Sequence, residues 1–312
     1  MDCIILAGNR ENYQRVDVEN NKGFLTIGDR TILEIILGEL SSVDQIKRVC
    51  LVGPSVRIKQ LVESKLQDYP KPLFFEDQRT DLVSNVQAGL SKLGIANDPH
   101  AQVLLLPSDI PLILGEEVSQ FLRGCEQIEA DWITGMSPEQ ALHKFYPDKD
   151  EPGITMAYFH LAQGRFRINN MHYTRPVAIT QLEVFRRIYA LRYQKKFINI
   201  LQMAFQLLML MGRSPSAVFF WAGMQLASVV RKWGAHGLAR FLQKPLHIPF
   251  AERVISNILK ARFRVVITHF GGAALDVDND QDYRTARLRF QDWTAAQRNA
   301  PPPDQPFPWR LS

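Results

Sequence analysis

A single carboxylate follows an apolar stretch in the middle of the chain. The segment VLLLPSDIPLI, residues 103–113, runs through four apolar residues and then presents Asp109 between Pro107 and Pro111. The run has no polar alternation, which predicts a strand buried on both faces. The two prolines restrict the backbone around the carboxylate. Open α/β sheets bind ligands at the C-terminal ends of such strands, so Asp109 is a candidate functional residue. The alternative is an ordinary turn or helix-capping aspartate.

A second acidic group lies in the segment ALDVDNDQDY, residues 274–283. Asp276 follows an apolar stretch, and it would face Asp109 if both lay at the C-terminal edge of one sheet. Two carboxylates in that position would suit Mg²⁺, which prefers oxygen ligands and substrate phosphates. Helix capping accounts equally well for some of these aspartates, above all Asp282. The spacing also resembles a calcium loop, but the glycine at its sixth position and the glutamate at its twelfth are missing.

The third informative stretch is LAGNRENYQRVDVENNKGF, residues 6–24. A strand-like run ends at Gly8, which lets the backbone approach a ligand closely. Arg10, Arg15 and Lys22 follow and would neutralise a polyphosphate. No GxGxxG and no GK[ST] is present, so the loop is neither a dinucleotide fingerprint nor a Walker A loop. Read alone, it also fits an ordinary solvated connection.

The elements that must position these residues alternate regularly over the first 135 residues. Strand-like runs such as CIILAG, RVCLVGP, PLFFED, QVLLLPSD and DWITG are separated by segments with helical spacing. This alternation predicts an α/β fold, a Rossmann-like, mostly parallel sheet with helices on both faces. The run RFRVVITHF near residue 263 predicts a return to the sheet after a helical insertion. We therefore expect a core at 1–160, a helical insertion or acceptor lid at 161–262, a return to the core at 263–290 and a proline-rich tail at 291–312.

The composition limits the classes of partner that the protein can bind, but it does not select one of them. The chain has 312 residues, a net charge of +5 and 46% apolar residues, as in an ordinary globular protein with an anionic partner. Nucleic acid is not expected, because no aromatic-basic motif occurs. The three cysteines form no metal-binding spacing, and the N-terminus lacks the features of a signal peptide. A cytoplasmic protein is the natural interpretation.

The predicted insertion contains two strongly apolar helical runs with basic flanks. FINILQMAFQLLMLM and SAVFFWAGMQLASVV follow Arg186, Arg187 and Arg192 and precede Arg231 and Lys232. The favoured interpretation is a buried hairpin over the sheet, since no run reaches eighteen uninterrupted apolar residues. The alternative is peripheral contact with the inner face of an anionic membrane, with a lipid-precursor phosphate as the acceptor.

Taken together, three motifs resemble the MobA-like nucleotidyltransferases, which have a GT-A type fold. They are LAG…NKGFLTIGDRTILE near the N-terminus, LLLPSDIPLI in mid-chain and DVDNDQDYRTA near the C-terminus. The likeness covers residues 1 to about 140 and about 263 to 290. It extends weakly to GRFRINNMHYTRP, residues 164–176, which resembles an acceptor-binding segment of some members.

The resemblance implies a Mg²⁺-dependent transfer of a nucleotidyl group from an NTP to a phosphorylated or anionic acceptor, with release of pyrophosphate. It implies that Lys22 contacts the phosphates and that Asp109 and Asp276 bind the metal. Around the nucleotide it implies contacts at Gly8, Asn9, Asn85 and Gly89, and around the acceptor contacts at Asn169, Asn170 and His172. Asn9 stands where the family has a second glycine, so its side chain narrows the loop or bonds to the ligand.

Two other functions stay open from the sequence. A GT-A glycosyltransferase would use a nucleotide sugar on the same fold with the same metal, although it would normally show DxD after a mid-chain strand. A catalytically inactive member would act as a membrane-associated binding module. Asn9 and the apolar insertion favour this alternative.

Overall fold

The computed structural model describes residues 1–8, 21–184, 186, 223, 230 and 244–300. Its first half follows the predicted alternation. The elements are β1 (Asp2–Leu6), β2 (Thr26–Ile27), β3 (Arg30–Thr31), α1 (Ile32–Ser41), β4 (Arg48–Gly53), α2 (Ser55–Lys65), β5 (Leu73–Asp77), α3 (Leu82–Lys92), β6 (Val103–Pro107) and α4 (Gly115–Glu126). A short 3₁₀ turn, Lys22–Phe24, precedes β2.

The second half adds an antiparallel pair and two longer helices. The elements are β7 (Trp132–Pro138), α5 (Glu139–Leu142), β8 (Phe159–Leu161), β9 (Gly164–Thr174), α6 (Ile248–Leu259), β10 (Phe263–Ile267) and α7 (Asp280–Arg298). Within the described residues, none of the helices is both long and apolar enough to cross a membrane.

The main sheet has the strand order β10-β7-β9-β6-β1-β4-β5, and β8 pairs with β9. All neighbours are parallel except β9, which is antiparallel to β6, β7 and β8. The prediction of a mostly parallel α/β sheet with helices on both faces is therefore confirmed. The parallel strands are buried on both faces, as in β1, where Cys3, Ile4 and Ile5 are fully buried.

Local sequence explains where the helices begin. Thr31 and Glu34 form a capping box at α1, in which the Thr31 hydroxyl accepts from the Glu34 N–H and the Glu34 carboxylate accepts from the Thr31 N–H. Asp81 caps α3 by accepting from the N–H groups of Val83 and Ser84. These caps begin each helix just after the C-terminal edge of the sheet, which leaves the edge itself to the functional loops.

Two predicted boundaries differ from the described elements. The insertion expected at 161–262 cannot be wholly helical, because residues 164–174 form β9 inside the main sheet. The proline-rich tail expected from 291 begins too early, because α7 continues to Arg298 and buries Trp293 against Phe145. The apolar hairpin predicted from the runs at 197–211 and 216–230 lies outside the described residues, apart from Gly223 and Val230.

One glycine is required by the close approach of two strand ends. A Cβ added to Gly53, at the end of β4, would lie 2.4 Å from the carbonyl oxygen of Ala7, which follows β1. A methyl group there collides with backbone, which cannot rotate away. Gly38 in α1 is exposed and has nothing within 4 Å of an added Cβ.

We therefore predict that Gly53→Ala lowers the free energy of unfolding by about 1–3 kcal/mol through overpacking. Gly38→Ala should raise it by about 0.5–1 kcal/mol, because alanine has the higher helix propensity. Urea unfolding of both variants measures the difference. Equal stability of Gly53→Ala and the wild type would show that the two strand ends separate easily.

Candidate active site

The candidate site lies where β1 and β6 end side by side. Ala7 follows β1 and donates its N–H to Val52 at 2.8 Å, while Ser108 follows β6 and donates its N–H to Leu6 at 3.2 Å. Because the two strands are parallel neighbours, the residues that follow them emerge at the same edge of the sheet. Asp109 and Gly8 are thereby brought close together from distant parts of the sequence.

Lys22 is anchored at this edge by its neighbour. Asn21 is almost fully buried; its side-chain N–H₂ donates to Ala7 O at 2.6 Å, and its side-chain oxygen accepts from the Gly23 N–H at 2.9 Å. The 3₁₀ turn that begins at Lys22 is thus tied to the end of β1. The ammonium of Lys22 then lies 2.8 Å from Asp109 Oδ2 and 3.1 Å from Asp278 Oδ1.

The acidic segment near the C-terminus reaches the same place. The N–H of Val277 donates to the Asp109 carbonyl at 2.9 Å, which brings Asp276 and Asp278 beside Asp109. Burial raises the pKa of Asp276 to about 6, and the negative charges of Asp278 and Asp109 add to the rise. Arg167 opposes it with an ion pair of 2.9 Å to the Asp276 carboxylate.

Helix capping does not account for Asp276 or Asp278. Asn279 is the N-cap of α7 and accepts from the Asp282 N–H at 2.9 Å, so the helix begins after both aspartates. Asp282 does lie in the first turn, as the capping interpretation expected for that residue. The carboxylates of Asp276 and Asp278 are therefore available to the site.

Gly8 faces a second group of side chains at the ends of β5 and α3. A Cβ added to Gly8 would lie 3.3 Å from Gln78 Oε1 and 3.6 Å from Asn85 Nδ2. The side-chain oxygen of Asn85 accepts from the backbone N–H of Arg79, which fixes the loop that carries Gln78. The structure thus brings Asn85 to Gly8 as expected and adds Gln78, which the sequence did not indicate.

Gly89 does not reach this edge. It lies one turn further along α3, where an added Cβ would be 3.0 Å from Ile4 and 3.1 Å from Val52. Its role is to let α3 pack closely on the sheet, which the sequence does not distinguish from a ligand contact.

The residues expected to bind the acceptor are not brought together as a group. Asn169 is fully buried and donates to Thr268 Oγ1 at 2.9 Å and Ser137 Oγ at 3.3 Å, so its side chain is not available to a substrate. Asn170 donates to the Ala273 carbonyl at 3.0 Å and so supports the acidic segment.

His172 lies further along β9, within the body of the sheet. Its Nδ1 is 3.1 Å from Thr134 Oγ1, and its ring packs against Trp132. The sequence does not reveal the burial of Asn169, because a fully buried amide looks the same in sequence as an exposed one. Asn9, Arg10 and Arg15 lie outside the described residues.

Besides Gln78, three functional candidates were missed by sequence reasoning. Asp278 was visible within the acidic segment but was not singled out. Arg167 lies at the start of an antiparallel strand, whose pairing is not readable from a parallel βα alternation. Asn21 precedes Lys22 and looked like an ordinary loop residue.

The donor set suits a divalent cation that also contacts phosphates. Asp109, Asp276 and Asp278 supply carboxylate oxygens, the ligand type that Mg²⁺ prefers, and their mutual repulsion would be relieved by a cation. In the part of the chain that the structure describes, no group of three or more His, Cys, Asp or Glu side chains is arranged to hold a metal unaided. Mg²⁺ commonly takes much of its coordination shell from water and substrate phosphates.

The fold and this edge define the chain as an enzyme of the nucleotidyltransferase class. The family model described as the MobA-like NTP transferase domain matches residues 3–248, and the chain belongs to that family. The resemblance inferred from the three motifs is confirmed. The matched range extends further through mid-chain than expected and ends before the DVD segment.

Solved structures of low sequence identity are similar to this chain in fold. A hypothetical transferase from Thermus thermophilus matches with a TM-score of 0.60 and 20% identity, covering 90% of this chain and 98% of that chain. The 4-diphosphocytidyl-2C-methyl-D-erythritol synthase of Anaerococcus prevotii matches with a TM-score of 0.47 and 14% identity, covering 93% and 97% of the two chains.

A CMP:2-keto-3-deoxy-manno-octonic acid synthetase complexed with CTP also matches, with a TM-score of 0.47 and 12% identity, covering 93% of this chain and 98% of that chain. At such identities the likeness concerns the fold alone. A comparison with curated proteins finds no match.

Asn21 gives a test of how Lys22 is positioned. Asn21→Asp keeps the oxygen that accepts from Gly23 but replaces the donor to Ala7 O with a buried, repelled oxygen. The unmade hydrogen bond should cost about 1–3 kcal/mol of unfolding free energy. The exposed Asn97→Asp should stay within about 0.5 kcal/mol of the wild type. Matching stabilities of the two variants in urea unfolding would show that Asn21 does not anchor the turn.

Proposed function

We propose that the protein transfers a nucleotidyl group from an NTP to a phosphorylated or otherwise anionic acceptor and releases pyrophosphate. The observation that carries the proposal is the convergence of Lys22 with Asp109 and Asp278 beside Gly8. One ammonium and several carboxylates at the end of a parallel sheet suit a substrate that combines a polyphosphate with a divalent cation. The family supports nucleotidyl transfer as the reaction class.

In the proposed reaction, an oxygen of the acceptor attacks the α-phosphorus and forms the new P–O bond. The bond from the α-phosphorus to the bridging oxygen breaks, and pyrophosphate leaves with the electron pair. Lys22 donates hydrogen bonds to phosphate oxygens on which negative charge develops. The backbone at Gly8 approaches the nucleotide, and Gln78 and Asn85 form the adjoining wall.

Asp109, Asp276 and Asp278 are the residues that would hold Mg²⁺. When bound, the metal supplies charge stabilisation at phosphate oxygens and helps to orient the reacting groups. Arg167 holds Asp276 in its ionised, ligand-competent form by pairing with it. Together these residues keep the acidic segment fixed while the substrates are bound in line.

The partners follow from the same chemistry. We expect an NTP as donor and a phosphorylated small molecule or lipid precursor as acceptor, with no nucleic acid. A cytoplasmic site of action agrees with the buried, unbridged thiols of Cys3 and Cys50. Peripheral membrane contact through residues 185–243 stays a prediction that the described residues do not address.

A panel of the four common NTPs with Mg²⁺, scored by thermal shift, tests the donor. A ligand that binds the folded state raises its stability, so the preferred NTP should give the largest shift. Product analysis then separates two reactions on this fold. Pyrophosphate supports nucleotidyl transfer, whereas a nucleoside diphosphate released from a nucleotide sugar would indicate glycosyl transfer.

Asp109→Asn tests the metal-binding role. The substitution keeps the side-chain volume but removes the charge, so we expect a cooperatively folded protein that loses activity at least about a hundredfold. The exposed Asp68→Asn, with the same chemical change, should keep full activity. Unchanged turnover in a folded Asp109→Asn protein would remove Asp109 from the mechanism.

Lys22→Ala tests the phosphate-binding role. The variant should bind NTP more weakly than the wild type, and the difference should be larger at low salt, where the charge is less screened. Lys59→Ala is the control, because Lys59 is an exposed helix lysine paired with Glu63. Equal NTP affinity of Lys22→Ala and the wild type, measured by isothermal titration, would make Lys22 a structural residue.

A further inference from the structure

The segment 271–277 joins β10 to α7 and carries Asp276. It packs backbone against backbone on the segment that follows Asp109, since a Cβ added to Gly272 would lie 1.8 Å from the carbonyl oxygen of Leu112. Gly271 has a φ of +93°, a conformation that side chains other than glycine rarely adopt. The two glycines therefore allow the acidic segment to lie directly against the Asp109 segment.

A buried carboxylate stabilises this contact between the two segments. Glu117 lies in the first turn of α4 and is fully buried. Its carboxylate accepts hydrogen bonds from Gly271 N at 3.1 Å, Ala273 N at 2.9 Å and Thr268 Oγ1 at 3.0 Å. Burial raises the pKa of the Glu117 carboxyl, whereas these donors and the nearby charge of Lys144 favour its ionised form.

The opposite side of the segment is held by β9. Arg167 donates to the Ala274 carbonyl at 2.8 Å, and Asn170 donates to the Ala273 carbonyl at 3.0 Å. The N–H groups of Gly271 and Ala273 thus face Glu117, and the carbonyl groups of Ala273 and Ala274 face β9. Charge-assisted hydrogen bonds are stronger than neutral ones, so Glu117 makes the strongest contacts on its side of the segment 271–277.

We propose that Glu117 is a positioning residue for the cation site. It lies on the helix that follows Asp109 and binds the segment that carries Asp276, so it sets the separation of these two carboxylates. The affinity of the site for a divalent cation then depends on Glu117, although its carboxylate lies beneath the site. This inference rests on the proposed function, which assigns Asp109 and Asp276 to the metal.

Mn²⁺ binding to the whole chain in the presence of inorganic pyrophosphate, which supplies phosphate oxygens, is followed by electron paramagnetic resonance of Mn²⁺ and tests the inference. In Glu117→Gln the amide oxygen can still accept from one N–H, but the amide N–H₂ opposes the other, so the segment must shift. We expect about tenfold weaker Mn²⁺ binding, the effect typical of groups that orient metal ligands. Glu116→Gln, an exposed neighbour in the same turn, should bind Mn²⁺ like the wild type.

A purely structural role for Glu117 would lower the melting temperature without changing the Mn²⁺ affinity of the folded protein. A folded Glu117→Gln variant with wild-type Mn²⁺ affinity would therefore overturn the inference. If Glu117→Gln does not fold, Glu117→Asp decides, because it keeps the charge but shortens the reach of the carboxylate to Gly271 and Ala273. Weaker Mn²⁺ binding by this variant supports the inference, and wild-type affinity overturns it.

Asp109→Asn and Asp276→Asn separate this inference from the proposed function. If neither variant changes Mn²⁺ affinity, the edge does not bind a cation, and both proposals fail. If both variants weaken Mn²⁺ binding while Glu117→Gln does not, the cation site stands and the positioning role of Glu117 fails alone.

Discussion

The ion pairs of Lys22 with Asp109 and Asp278 are the interaction on which the site depends. They join three segments that lie 87 and 256 residues apart in sequence. The Lys22 side chain is 14% exposed and that of Asp109 17%, so solvent screens their attraction less than on an open surface. Without a cation at this point, three carboxylates would face one another across the edge of the sheet.

The same crowding explains the electrostatic character of the site. Burial and the negative charges of Asp278 and Asp109 favour the neutral form of the Asp276 carboxyl, whereas Arg167 favours its ionised form. Lys22 and Arg167 together balance two of the three carboxylates. One negative charge therefore remains among these five groups.

The topology of the sheet brings these charges to one edge from strands that run in opposite directions. β1 and β6 run towards the edge and present Gly8 and Asp109 after their last residues. β9 runs the other way between β6 and β7, so its first residues lie at the same edge. Arg167 can therefore reach Asp276. One antiparallel strand in the sheet thus contributes the cation that stabilises the acidic segment.

Whether a strand or a site residue could be predicted depends on the pattern that it leaves in the sequence. The parallel strands could be predicted because continuous apolar runs are typical of strands buried on both faces. Asp109 could be predicted because it directly follows such a run. β9 could not, since GRFRINNMHYT mixes polar and apolar residues and carries a register irregularity at its pairing with β7. For that reason it was assigned to the insertion, although it pairs inside the main sheet.

Asn169 shows most clearly why the candidate site could be predicted only in part. Its amide is fully buried with Ser137 and Thr268, and a buried polar group is tolerated when hydrogen-bonded. A Cβ on Gly135 would lie 2.0 Å from Asn169 Oδ1, so the facing strand needs glycine there. Asn169 and Gly135 thus depend on each other across two strands. A single sequence records both residues but not their contact, and an asparagine required for packing has the same appearance as one that binds substrate.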